Sequence, residues 1–219
     1  MTPRAFLGSA ALIATLAVIA VNLPGAATTI VERDKMCSDV PCFTLTARSD
    51  AIRSHNAQLT AAHRYLAIGD SITEYASLEP ICGAAPVNAG ISGATTNTWL
   101  ERARPLADTV KPDFIVLALG TNDAWRDQIS SYSNHLDALL ASLKSYPVLI
   151  IPPPPSPDIK LAARFAQATA IAGDKPNAVT PLKNAVTVDG VHLTATDYAA
   201  WKIALRAKAT SVICPGSRF

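Results

Sequence analysis

Apolar and polar positions come in blocks along this chain, and the blocks are of two kinds. Residues 113–119 (DFIVLAL) form a nearly continuous apolar run, the pattern of a strand covered on both faces. Residues 64–68, 86–89 and 148–151 are shorter runs of the same sort. Between them the apolar spacing changes to the helical period. In residues 131–146, Leu136, Leu139, Leu140 and Leu143 recur at i, i+3, i+4 and i+7 and mark one buried face. Helices are also predicted over residues 49–63, 96–107, 159–172 and 195–212. The first carries Ile52, Leu59 and Ala62 on one side, and the last carries Ala200, Ile203, Ala204 and Ala207 behind Leu193. Strands alternating with helices predict a mainly parallel sheet with helices on both faces. Residues 28–46 show neither period and are expected to be irregular.

The N-terminus has a third pattern. Residues 5–23 are apolar on every face, follow Arg4 and precede the small residues Gly25, Ala26 and Ala27. The stretch reads as a secretory signal. Its length also approaches that of a membrane span, so an uncleaved anchor running from Ala5 to Leu23 is the other reading. Either way the remainder lies outside the cytoplasm, secreted, periplasmic or held at the membrane. The expected division is an export segment over 1–27, an extension with the first helix over 28–63, and a catalytic core over 64–219.

Composition narrows the picture further. With 49% hydrophobic and 16% charged residues, the chain has the makings of a packed core rather than a disordered or coiled-coil protein. Its 19 Lys+Arg against 17 Asp+Glu, with no block of like charge, leave no footprint for nucleic acid. Four cysteines, Cys37, Cys42, Cys82 and Cys214, suit an oxidising destination. They admit three pairings, and the sequence does not choose among them. A local loop Cys37–Cys42 with a long-range staple Cys82–Cys214 is the working expectation. Neither a paired C-x-x-C nor a neighbouring histidine pair is present, so no zinc or other metal is expected.

Four short islands carry the chemistry: Gly69-Asp70-Ser71, Gly90-Ile91-Ser92-Gly93, Gly120-Thr121-Asn122-Asp123 and Asp189-Gly190-Val191-His192. Ser71 is a nucleophile candidate that needs a base within hydrogen-bond reach. His192 is that base, since imidazole can take the serine proton and return it to a leaving alcohol. Asp189, three residues earlier in a tight turn, can receive the other ring N–H and hold the tautomer. Gly93 allows close approach of a backbone N–H, and the Asn122 amide offers two more hydrogens, which makes both candidate oxyanion donors. Asp123 is expected to brace the Asn122 loop. Taken singly, each island has an ordinary explanation: Asp70 and Ser71 as a helix cap, Asp189-Gly190 as a surface turn with Thr194 capping the next helix. Their order, with Ser71, Gly93 and Asn122 each just beyond a predicted strand, is what ordinary turns do not require. Tyr75 and Trp125 are placed to line a substrate pocket. Trp99 and Trp201 are expected in the core.

These islands resemble the conserved blocks of the SGNH (GDSL-type) hydrolase family. Gly69-Asp70-Ser71-Ile72-Thr73 is similar to the nucleophile block, Asn88-Ala89-Gly90-Ile91-Ser92-Gly93 to the glycine block, Gly120-Thr121-Asn122-Asp123 to Gly-x-Asn-Asp, and Asp189-Gly190-Val191-His192 to Asp-x-x-His. The resemblance runs from about Arg64 to the C-terminus and fills all four family positions with Ser71, Gly93, Asn122 and His192. It implies a three-layer α/β/α sandwich and a cofactor-free esterase whose Ser71 N–H joins Gly93 and Asn122 around the oxyanion. Substrates implied are small esters or acylated glycans and lipids, and Ile72-Thr73 leans towards the carbohydrate-esterase branch. An envelope O-acyltransferase working on glycans and a non-catalytic glycan-binding module are the rival readings. With an imidazole as base, kcat/KM for a p-nitrophenyl ester is expected to fall on acidification through the neutral range, and a flat pH–rate profile there would exclude a histidine base.

Overall fold

The computed structural model describes residues 36, 37 and 39–215, and the expected export segment over 1–27 lies outside them. A four-stranded parallel sheet is built from β3 (Arg64–Gly69), β4 (Ala85–Gly90), β5 (Phe114–Ala118) and β6 (Val148–Ile150), in the order β4-β3-β5-β6. All four coincide with predicted apolar runs to within a residue or so at each end. Because β4 and β5 lie on opposite sides of β3, the chain reverses direction across the sheet there. A crevice therefore opens beyond the strand ends, the usual ligand position in such sheets.

Alternating strand side chains feed two cores. On one face Leu66, Ile68, Val87, Ile115, Leu117 and Ile150 pack with Leu45 and Ile52 of α1 (Cys42–Gln58), Trp99 of α3 (Thr96–Trp99), Ala103 and Ala107 of α4 (Ala103–Val110), Leu136 and Leu139 of α6 (Ile129–Ser142), and Phe165 and Ala168 of α7 (Ala162–Gly173). On the other face Tyr65, Ala67, Phe114, Val116 and Leu149 pack with Ile72 of α2 (Ser71–Tyr75) and with Trp201, Leu205 and Ala209 of α8 (Ala195–Val212). Among the described residues the remaining helix is α5 (Thr121–Trp125). The result is an α/β/α sandwich with both sheet faces covered. Among the described residues no helix is long and apolar enough to cross a membrane.

Several expected elements change. Residues 28–46 were expected to be irregular, but β1 (Met36–Cys37) and β2 (Val40–Pro41) form a small hairpin and α1 already begins at Cys42. No side chain caps this start; Val40, Leu45 and Ile52 are buried in the core, so packing decides where the helix runs. It ends at Gln58, before Ala62, which is exposed. The helix predicted over 96–107 is split into α3 and α4. An unbroken helix would need an N–H at position 105 to reach Glu101, and Pro105 has none; restarting at Ala103 places the proline in a first turn, where none is required. In α8 the buried stripe is Trp201, Leu205 and Ala209, while Ile203 is 69% exposed. Alanines all round this helix make several faces look alike in sequence, and the bulk of Trp201 and Leu205 selects one. Trp99, as expected, is also buried.

Both expected disulfides are present, Cys37–Cys42 and Cys82–Cys214. The second joins the turn before β4 to the end of α8. Leu205→Ala is expected to cost about 2–4 kcal/mol in urea unfolding, whereas Ile203→Ala should stay within about 0.5 kcal/mol; equal losses would contradict the assigned face.

Candidate active site

Strand register brings three loops to one rim. Gly69 pairs with Gly90 on one side and with Ala118 on the other, so β3, β4 and β5 end level. Ser71 opens α2 two residues beyond Gly69, with Asp70 as its N-cap: the carboxylate accepts the Ile72 N–H at 2.9 Å. The ordinary reading of Asp70-Ser71 as a cap and the nucleophile reading of Ser71 therefore coexist.

The histidine arrives from the far end of the chain. A turn over residues 187–193 is closed by Val188 N–H donating to the His192 carbonyl at 2.8 Å, with Gly190 at φ +93° and Leu193 buried. Thr194 caps α8 by accepting the Asp197 N–H. Within the turn Asp189 accepts the backbone N–H of His192 at 2.8 Å and of Val191 at 3.1 Å, and its other oxygen lies 2.6 Å from His192 Nδ1. His192 Nε2 lies 2.9 Å from Ser71 Oγ. An alcohol, an imidazole and a carboxylate thus stand in one hydrogen-bonded line. The His192 ring bond and then the two backbone N–H groups hold Asp189 down at about 2, which keeps it an acceptor across the neutral range.

Opposite this line lie the candidate donors. Gly93 sits at φ +78°, a left-handed conformation that disfavours side chains, and a Cβ there would come 3.3 Å from Arg126 Nη2. Asn122 donates one amide hydrogen to the Ala94 carbonyl at 3.0 Å. That bond aims the amide and leaves a second hydrogen for the cleft. Asp123, buried, accepts the Thr96 N–H and hydroxyl, so it braces the loop as expected. Ser71, Gly93, Asn122 and His192 together with Tyr75, Ser92, Thr121, Trp125 and Val191 line an open cleft of about 240 Å³. Tyr75 and Trp125 are exposed at its rim, with the Tyr75 ring 5.1 Å from that of His192.

Sequence reasoning missed the groups that hold these loops. Glu74 accepts both the Ser92 N–H at 2.6 Å and its hydroxyl at 2.7 Å, tying α2 to the glycine loop. Arg48 of α1 donates to the Gly90 carbonyl at 2.7 Å and lies 3.5 Å from Glu74. Asn88 donates to the Thr73 carbonyl and accepts the Gly90 N–H. Glu74 carried a weak signal, three residues after Ser71 on the same short helix. Arg48, 42 residues from its acceptor, carried none. Among the described residues no cluster of three or more potential metal ligands occurs.

The family match makes the chain an ester-hydrolysing enzyme on an α/β fold. The chain belongs to the GDSL-like lipase/acylhydrolase family, whose model matches residues 67–200. Its fold is shared by a lipase/acylhydrolase from Enterococcus faecalis (21% identity, 68% of this chain and 96% of that one, TM-score 0.58). It is shared also by a GDSL-like lipase from Bacteroides thetaiotaomicron (18%, 74% and 98%, TM-score 0.57). An acetylxylan esterase from Geobacillus stearothermophilus has the same fold (19%, 68% and 94%, TM-score 0.56). A search of curated proteins found no match.

Beneath the serine, Asp70 is 1% exposed, and its second oxygen has no hydrogen-bond partner. Burial pushes it up to about 7, against the pull of the Ile72 N–H and the nearby Thr121 hydroxyl. Between about pH 4 and 7 the folded chain therefore keeps a proton that the unfolded chain has released. Through this group stability declines as pH rises across that window. Asp70→Asn retains a capping oxygen and cannot ionise, so its stability relative to the parent should improve between pH 4 and 8 in urea unfolding. A difference independent of pH would refute the assignment.

Proposed function

We propose that this protein is an exported serine esterase that cleaves short acyl esters, O-acetyl groups on carbohydrate in particular, through an acyl-enzyme. Ser71 attacks the ester carbonyl while His192 Nε2 takes its proton. Asp189 holds the ring in the tautomer that leaves Nε2 free and stabilises the imidazolium. The oxyanion is held by the backbone N–H groups of Ser71 and Gly93 and by the Asn122 amide. His192 then protonates the leaving alcohol, and water repeats the sequence to release the acid. No metal or cofactor enters these steps.

The observation that carries this reading is the 2.9 Å contact between His192 Nε2 and Ser71 Oγ across 121 positions of sequence, with Asp189 on the far nitrogen. The open cleft of about 240 Å³ has room for an acetyl ester, and the exposed rings of Tyr75 and Trp125 offer faces for a sugar. The acetylxylan esterase with the same fold supports this preference. Export is supported by the two disulfides and by the apolar stretch ahead of them in the sequence.

Ser71→Ala is expected to abolish hydrolysis of p-nitrophenyl acetate and labelling by a fluorophosphonate. Asn122→Ala should lower kcat by about 10²–10³-fold with little change in KM. Turnover retained by Ser71→Ala would remove the serine from the mechanism. A panel from acetyl to long-chain esters should favour acetyl, with acetylated polysaccharide cleaved to free acetate. Transfer of the acetyl group to an added glycan in place of release would favour the acyltransferase instead.

A further inference from the structure

The β1–β2 hairpin lies outside the segment that defines the family, yet its turn reaches the segments that follow Gly93 and Asn122. There Asp39 meets two loops at once. Its carboxylate accepts the Thr95 hydroxyl at 2.5 Å, the Asn97 amide at 3.5 Å and the Gln128 amide at 3.4 Å. Its backbone carbonyl accepts Arg126 Nη1 at 3.0 Å, and the same guanidinium nitrogen lies 3.8 Å from the carboxylate. Thr95 and Asn97 directly follow Gly93 and Ala94, whereas Arg126 and Gln128 directly follow the helix that begins Thr121-Asn122. The other terminal nitrogen of Arg126 backs Gly93 itself.

Asp39 is well fixed. The Cys37–Cys42 disulfide closes its hairpin, and Val40 next to it is 1% exposed in the core. Only 17% of the Asp39 side chain is exposed. Burial by itself raises its pKa, but the hydrogen bonds from Thr95, Gln128 and Asn97 and the charge of Arg126 outweigh it and leave a net lowering. The carboxylate is thus an ionised acceptor, the form that makes the stronger hydrogen bonds.

We propose that Asp39 is a positioning residue that locks the segment behind Gly93 to the segment behind Asn122 and so sets the spacing of the two oxyanion donors. This rests on the donor roles given to Gly93 and Asn122 above. Asp39 touches no reacting atom; it acts through Thr95 and Arg126 on groups that do. Its contribution therefore belongs in the transition state, where an oxyanion must fit between donors that are held rather than induced.

The test compares Asp39→Ala and the near-isosteric Asp39→Asn with the parent, with functional sites counted by end-point fluorophosphonate labelling. Asp39→Ala should lower kcat per labelled site about 10- to 100-fold with KM nearly unchanged, less than the loss of a donor because the donors remain but are misplaced. Asp39→Asn, which keeps an acceptor for Thr95 but loses the charge facing Arg126, should fall between Asp39→Ala and the parent. In an Asn122→Ala background Asp39→Ala should cost clearly less than in the parent, because one of the two donors it aligns is already gone. Parental kcat per labelled site, a loss that shows only as fewer labelled sites, or fully multiplicative losses in the double variant would each overturn the proposal. Failure of the underlying reading looks different: Ser71→Ala would still turn over, or Asn122→Ala would keep parental kcat. If those two variants lose activity and Asp39→Ala does not, the fault lies with Asp39 alone.

Discussion

The level ending of β3, β4 and β5 is the constraint from which the rest of the site follows. Parallel ladders pair Gly69 with Gly90 and with Ala118, and the apolar side chains on both faces hold that register. A slip of one residue would turn every strand side chain to the opposite core. Since both cores are filled with differently shaped helices, the register has no near competitor. Ser71, Gly93 and Asn122 leave the sheet at one height because of it, and the crevice between them is made by the backbone before any side chain contributes.

Ile91, Ala94 and Leu119 sink the loops beyond the strands into the core, and carboxylates tie those loops to one another. Glu74 ties the Ser71 helix to Ser92, Asp123 ties the Asn122 helix to Thr96, and Asp39 reaches both sides from the N-terminal hairpin. Residues 92, 95 and 96 thus each meet a different acid. A buried carboxylate is costly unless its oxygens accept hydrogen bonds, so each of these acids constrains the groups around it. Asp70 differs, because one of its oxygens finds no partner and burial shifts its protonation towards neutrality. Ser71 thus sits over a carboxyl that burial raises, while His192 is held by a separate turn anchored through Leu193.

The four strands of the parallel sheet were legible because a sheet buried on both faces leaves apolar runs, and the start of α8 was legible because Thr194 caps it, whereas the β1–β2 hairpin was not. Two helices were read less well, for different reasons. The split between α3 and α4 follows from Pro105 and was present in the sequence, though the apolar spacing bridges it. The early start of α1 has no local signal at all, since neither a cap nor a regular stripe marks it. The candidate site residues were readable as motifs because neighbours in sequence, Asp189 with His192 above all, also meet in space. Arg48 and Asp39 were not readable, because their partners lie 42 residues away in the first case and 56 to 89 in the second.

Local periodicity and side-chain chemistry were enough for the sequence by itself to determine the alternating elements, the α/β class and the motifs that meet at the cleft. The tertiary structure alone decided which face of α8 is buried, where α1 begins, and how the loops around the cleft are clamped. Those outcomes depend on the packing of bulky side chains and on hydrogen bonds between polar groups remote in sequence, and neither leaves a periodic trace along the chain.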